Sequence, residues 1–316
     1  MAPVARLLVL CLLSSLGSLR SDLLPNLMPV ALPPLEGEAL PFAVLAGVAA
    51  VFAGWRREKW PRGRGILAAV AVGAGLFLVP AVIVALSAAW ISSMTRVVLF
   101  SLAPVFAVVL EPYVGRGAGG GVRGGLLAAI AAVAGVLCLF PVDAPRSVGA
   151  GIAVCGVMVA VACVAAANCY AVRIAAELPG NSVAPMAAIA GTTAAVGLAV
   201  ASAMTEHAVW RLDALRPAVV WSAAVELPGL LLLFWLMRRI SAARMTTRFV
   251  LAPLMAILVS MAVMRPEVGV RGGLGLLLMA SGAGWLLLAP EDDAAAELVD
   301  VETGILAMQS EAHTTV

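Results

Sequence analysis

Glu226 is the residue of this sequence best placed to do chemistry. It is the one charge in residues 217–237 and stands two positions before Pro228. An ionisable group inside an apolar span costs about 2.5–3.5 kcal/mol on insertion scales unless it is paired or hydrated. Arg248 is the one charge in residues 246–264 and falls at a similar depth on the following segment. Two readings stand side by side. The two residues line a cavity, with Glu226 as a proton or cation site and Arg248 as its counter-ion or an anion binder, or they weld two helices together as a structural ion pair. Arg20 and Asp22 lie at the outer end of the first apolar stretch, as cavity-lining groups or as an interfacial pair. Arg96, at the outer start of an apolar run, reads first as an anchor whose head group snorkels to the interface and second as a ligand. Asn168 and Tyr170 are rare polar groups in residues 147–172, suited to hydrogen-bonding a substrate or to holding helices together. Pro104 and Pro253 each free a backbone carbonyl and bend a helix, which suits paired kinks facing a solute path.

No other constellation points to covalent chemistry. His207 and His313 are isolated, so no metal site is expected. The cysteines, Cys11, Cys138, Cys155, Cys163 and Cys169, all sit in apolar runs without CxxC spacing and read as reduced small hydrophobes. The run from Gly115 to Gly120 fits GxGxxG literally but lacks the strand–turn–helix context that dinucleotide binding needs. GxSxG, HExxH and Walker A patterns are absent. No cofactor and no enzymatic activity are expected.

The elements that must position these groups are set by composition. Of 316 residues, 63% are hydrophobic and 12% charged, with mean hydropathy +1.06. A soluble domain is nearer half apolar and a quarter charged, so the chain reads as a polytopic membrane protein. Residues 39–55, 65–95, 124–142, 147–172, 178–205 and 272–290 contain no Asp, Glu, Lys or Arg. The run 65–95 is too long for one span, and residues 87–93 offer a turn. Counting 217–237, 246–264 and an N-terminal segment from Leu7 gives ten transmembrane helices. The N-terminus reads as a first span in preference to a cleaved signal peptide.

Charge is divided unevenly. Residues 291–316 hold seven acids and no Lys or Arg, which leaves eleven acids against twenty bases in the membrane body, about +9. Loop arginines account for that excess, so no nucleic-acid partner is expected. With the N-terminus cytoplasmic, eleven bases fall inside and five outside, and residues 56–64 carry the largest group. Both termini are therefore expected in the cytoplasm, with the acidic tail solvated there.

The two halves resemble each other. Ile91, Ser92, Phe100, Leu102, Ala103, Pro104 and Ala107 recur as Ile240, Ser241, Phe249, Leu251, Ala252, Pro253 and Ala256, and the pentapeptide starting at Val122 recurs at Val270. Each unit would have five spans. An odd number forces consecutive units to enter the membrane from opposite sides, giving two inverted five-helix repeats, 1–145 and 146–290, followed by the tail 291–316. Inverted repeats that rock about a midplane site are a transporter device.

The stretch from Leu102 to Ala107, preceded by Ser92 and Ser93, resembles the EamA-like branch of the drug/metabolite transporter superfamily. The surroundings of Pro253, the ending from Gly282 to Leu288, and the small residues with Arg20 in the first span are similar to it too. The sequence departs from that family in lacking an aromatic after those small residues and a Gly-Glu after the fourth span. The resemblance implies an all-α, ten-helix carrier in a bacterial inner membrane, moving a small-molecule metabolite by alternating access with a proton or cation as coupling ion. The expected partners are that metabolite, that ion and the lipid bilayer. Substrate, direction and oligomeric state, including a homodimer, stay open. The rival reading is a structural or envelope-type multispan protein without transport.

Overall fold

The computed structural model of the protein describes residues 2–18, 32–114, 122–140, 145–177, 183–206, 212–264 and 269–288, and these contain helices and no strand. In chain order they are α1 (Ala2–Ser18), α2 (Pro34–Trp55), α3 (Arg64–Gly73), α4 (Val79–Ser87), α5 (Ser93–Phe100), α6 (Ala103–Val114), α7 (Val122–Leu139) and α8 (Val148–Glu177). Then come α9 (Ala184–Thr205), α10 (Leu212–Trp221), α11 (Leu227–Leu236), α12 (Ala242–Thr246), α13 (Arg248–Met264) and α14 (Val270–Leu288). Seven helical stretches among the described residues are long and apolar enough to cross a membrane, and Val4–Leu16 and Gly124–Leu139 are shorter apolar helices. The protein is thus built as a multi-pass membrane protein. The turn expected at 87–93 lies between α4 and α5. Arg20, Asp22, residues 115–120 and the acidic tail lie outside the described residues.

Several helix boundaries follow from proline. Pro34, Pro80, Pro185 and Pro228 occupy the first turns of α2, α4, α9 and α11, where a missing N–H costs no intrahelical bond. Pro80 and Pro228 do more, because each follows directly on a helix that does not stop. Between α3 and α4 the chain makes a widened π-turn, Ala74–Leu78, and between α10 and α11 another, Ser222–Glu226. The Val79 N–H donates to the Ala74 carbonyl, and the Leu227 N–H to the Ser222 carbonyl. Each bond spans five residues instead of four, one position ahead of a proline that cannot donate.

These elements repeat at a nearly constant spacing. The two π-turns, and α7 and α14, begin 148 residues apart (74 and 222; 122 and 270), and α5 and α12 begin 149 apart (93 and 242). Packing repeats as well, with the halves exchanged. The first π-turn packs on α8 and α9, the second on α1 and α2. Likewise α8 meets α4 and α6, while α1 meets α11 and α13. The most extensive contacts join counterparts, α2 with α9 and α7 with α14. Small residues permit these close crossings. A Cβ on Gly135 would lie 2.5 Å from the Met279 nitrogen, and one on Gly282 would lie 2.5 Å from the Ala128 oxygen. A Cβ on Gly191 would lie 3.0 Å from the Phe42 oxygen. Helix α1 belongs to this core: Leu7, Leu10 and Cys11 are buried, and the Ser15 hydroxyl donates to the Ala252 carbonyl at 3.3 Å.

Candidate functional site

Glu226 closes the second π-turn, in the middle of the span formed by α10 and α11. Its Oε2 accepts a 2.7 Å hydrogen bond from the hydroxyl of Ser222, which is fully buried at the start of the same turn. Trp221, immediately before, has a buried indole Nε1 with no hydrogen-bond partner. A carboxylate, a hydroxyl and an unpaired N–H therefore gather around one distorted turn, which packs on α1 and α2. Distorted turns of this kind often mark function because they release backbone groups from the ladder.

Two further interruptions lie where the halves meet, one in the α5–α6 span at Ser101 and Leu102 and one between α12 and α13 at Thr247. Hydroxyls take up carbonyls near these breaks: Ser101 donates to Val98 at 2.6 Å, Thr246 to Ala242 at 3.0 Å, and Thr247 to Arg244. Phe100 and Phe249, counterparts in the repeat, stack on each other with ring centroids 5.9 Å apart. Both precede the prolines by four residues, so their carbonyls are the ones that Pro104 and Pro253 leave without an amide donor. Pro104 sits at the second residue of α6, directly after a break. Pro253 lies inside α13, six residues past Thr247. The two prolines thus relate differently to the interruptions of their spans.

Arg248 does not meet Glu226 in the expected ion pair. Its guanidinium carbon lies 4.8 Å over the Phe249 ring, a cation–π contact at the junction of the halves. Counting residues from the segment ends matched the depths of the two groups, but the break at Thr247 and the adjacent ring redirect the arginine. Arg96 is half-exposed, with one guanidinium nitrogen, Nη1, buried without a partner. Asn168 is fully buried; its Nδ2 donates to the Val164 carbonyl at 2.8 Å, and its Oδ1 has no partner. The first π-turn presses on α8 next to it, where a Cβ on Gly75 would come within 2.8 Å of the Ala167 Cβ. Tyr170 is half-buried against the main core. The structure therefore brings Arg248 to the Phe100–Phe249 junction and Asn168 to the first π-turn, while Glu226 has its own polar cluster.

Two carboxylates escaped the sequence reading. Glu36 is fully buried in the first turn of α2, where the helix dipole favours a negative charge. Glu206 follows α9 and caps α2, accepting from the Leu35 N–H at 3.1 Å and the Ser202 hydroxyl at 2.8 Å. The signal for Glu36 was Pro33-Pro34, which starts the helix five residues before the uncharged run.

Three aromatic rings from the two halves meet in the main core. Phe42 and Phe77 lie 4.6 Å apart, and Phe77 and Phe234 lie 6.2 Å apart. An apolar groove of about 560 Å³ opens elsewhere, between α2, α3–α4 and α9, and none of Arg96, Asn168, Glu226 or Arg248 lines it.

No family model and no curated protein matches the chain. The chain is similar in fold to a solved structure described only as a crystal structure of a protein, with TM-score 0.71 and 15% identity. The match covers 92% of this chain and 99% of that one.

Proposed function

We propose that the protein is a ten-span carrier built of two inverted five-helix repeats, which moves a small organic metabolite by alternating access. The observation that carries this reading is the exchange of packing between the halves. Each π-turn rests on the first two spans of the opposite half, and counterpart residues meet at Phe100 and Phe249. An arrangement that maps onto itself under exchange offers two equivalent rocking positions, as alternating access requires. The sequence resemblance to EamA-like transporters supports the same reading. Glu226 is its proton or cation site, with Ser222 holding the carboxylate. Arg248, Arg96 and Asn168 supply polar contacts to the solute, and Pro104 and Pro253 bend the helices beside its path. Both termini lie in the cytoplasm of a bacterial cell, and no covalent step is assigned.

One observation favours the rival reading of a structural multispan protein: the Phe42, Phe77 and Phe234 rings pack together in the buried core where the halves meet. Under the carrier reading this is the closed state. Metabolite profiles of a deletion strain and an overexpressing strain decide between the two. A carrier changes the distribution of a solute class, and Glu226→Gln at normal expression abolishes that change. Identical profiles in all strains would favour the structural protein. Cysteine labelling at Arg62 and Ala208 checks the inversion, which requires the two positions to lie on opposite membrane faces.

A further inference from the structure

The apolar groove and the basic loop beside it point to a ligand that the carrier reading does not require. The groove is lined by Ala50 on α2, Val70 on α3, Leu78 in the first π-turn, and α9 from Ala188 to Gly197, with Trp60 at its mouth. The hydroxyls of its two threonines are engaged by their own helix, Thr192 donating to the Ala188 carbonyl at 2.8 Å and Thr193 to Ile189 at 2.9 Å. Nine residue steps along α9 correspond to about 14 Å. That is close to half of the roughly 30 Å hydrocarbon core of a bilayer, the depth of one leaflet.

Trp60 belongs to the loop joining α2 to α3, which together with Arg64 at the start of α3 carries Arg56, Arg57, Lys59 and Arg62 against the single acid Glu58. All five bases are exposed. Trp55 and Trp60 are exposed as well, as rings at a membrane interface are. The loop is ordered. The Glu58 N–H donates to the Ala53 carbonyl at 2.9 Å and the Arg57 N–H to Gly54 at 3.1 Å, which makes a Schellman cap with Arg57 at its left-handed position (φ 52°). Glycine ordinarily takes that place. An arginine held there in a disfavoured conformation, beside four more bases and the mouth of an apolar groove, is a local cost with a charge as its product.

We propose that this groove and loop form a binding site for an anionic phospholipid, with one acyl chain along α9 and the phosphate on Arg57, Lys59 and Arg62. A neutral lipid fills the groove equally well but gains nothing from the loop, so the site selects by headgroup.

Native mass spectrometry of the purified full chain tests this, with phosphatidylglycerol and phosphatidylcholine of identical acyl chains added in turn. Retained phosphatidylglycerol should exceed phosphatidylcholine by about fivefold for each base engaged. The triple variant Arg57→Gln, Lys59→Gln, Arg62→Gln should bring the two lipids level. Val196→Trp, which fills the groove from an exposed position, should reduce both. The unaltered chain gives an independent reading: raising the salt from about 0.1 to about 1 M shortens the screening length from about 10 to 3 Å and should erase the preference. Equal retention of both lipids at low salt overturns the proposal. So does displacement of phosphatidylglycerol by inorganic phosphate, which would mean an anion site without a chain. Retention unchanged by Val196→Trp overturns the groove as the chain's place.

Discussion

The two π-turns have the same backbone and opposite contents. The first reads Ala-Gly-Leu-Phe-Leu and is preceded by Gly73, and the second reads Ser-Ala-Ala-Val-Glu and is preceded by Trp221. Gly73 lets α3 press against α9 so closely that a Cβ there would lie 2.7 Å from the Ala190 Cα. Leu76, Phe77 and Pro80 are buried. At the corresponding places Ala224 and Pro228 are exposed and Val225 is half-buried, and α10 touches α2 less extensively than α3 touches α9. A shared proline sets the shape, while side chains decide whether the turn becomes a packed joint or a polar pocket. The first half docks, and the second holds the only acid of either turn.

If that division is real, exchanging the contents should cost most where a charge enters the packed side. Leu78→Glu puts a carboxylate at the place equivalent to Glu226, against Gly197 and the groove, with no counterpart of Ser222 because Ala74 stands there. The expected loss is about 3 kcal/mol, read as reduced stability to denaturant in detergent or lipid. A Leu78→Glu protein as stable as the original would show that the first turn is hydrated like the second. Next in size is Gly73→Ala. The added methyl meets the Ala190 backbone, which cannot rotate away, so α3 must shift at a cost of about 1–3 kcal/mol. At the equivalent position of the other half, Trp221→Phe removes an unpaired buried N–H along with part of a half-buried ring, so gain and loss offset and stability should stay within about 1 kcal/mol of the original. Equal losses at both sites would erase the difference between docked and open turns.

The recurrence of residues between the two halves of the chain was legible because it involves residues with specific backbone demands. Proline, glycine and a capping serine leave marks that scattered Ala and Leu cannot imitate, and the spacing of Val122 and Val270 anticipates that of the helices. Mid-span Glu226 was legible for the same reason, as one charge in a run without others. The π-turns were not. Pro80 and Pro228 were visible at the right spacing, but whether a helix meets a proline by stopping, kinking or widening depends on what packs against it. The Glu226–Arg248 pair failed because residue counting supplies depth along a segment and not azimuth, and because a neighbouring phenylalanine offered the guanidinium a partner. Glu36 was lost by treating charge as the end of a span, although its helix start was written in Pro33-Pro34.

The smallest expected effect bears most directly on why the turns widen. Ser222 donates to Glu226 across the second π-turn, four residues apart, and is buried. By its position that hydroxyl is a candidate clasp for holding the turn open. The first turn argues otherwise, because it has the same five-residue hydrogen bond with Ala74 in the serine's place and Leu78 in the acid's. Proline one position beyond the turn is what the two share, so Ser222→Ala should keep the π-turn and lose one hydrogen bond, about 1 kcal/mol. Glu226 would then be less firmly oriented, and under the proposed carrier function solute movement should slow without vanishing, in contrast to Glu226→Gln. Denaturant unfolding of the purified variant beside Leu78→Glu checks the order. A Ser222→Ala loss as large as that of Leu78→Glu would mean that the hydroxyl clasp, and not Pro228, shapes the second turn. The two halves would then reach the same backbone by different causes.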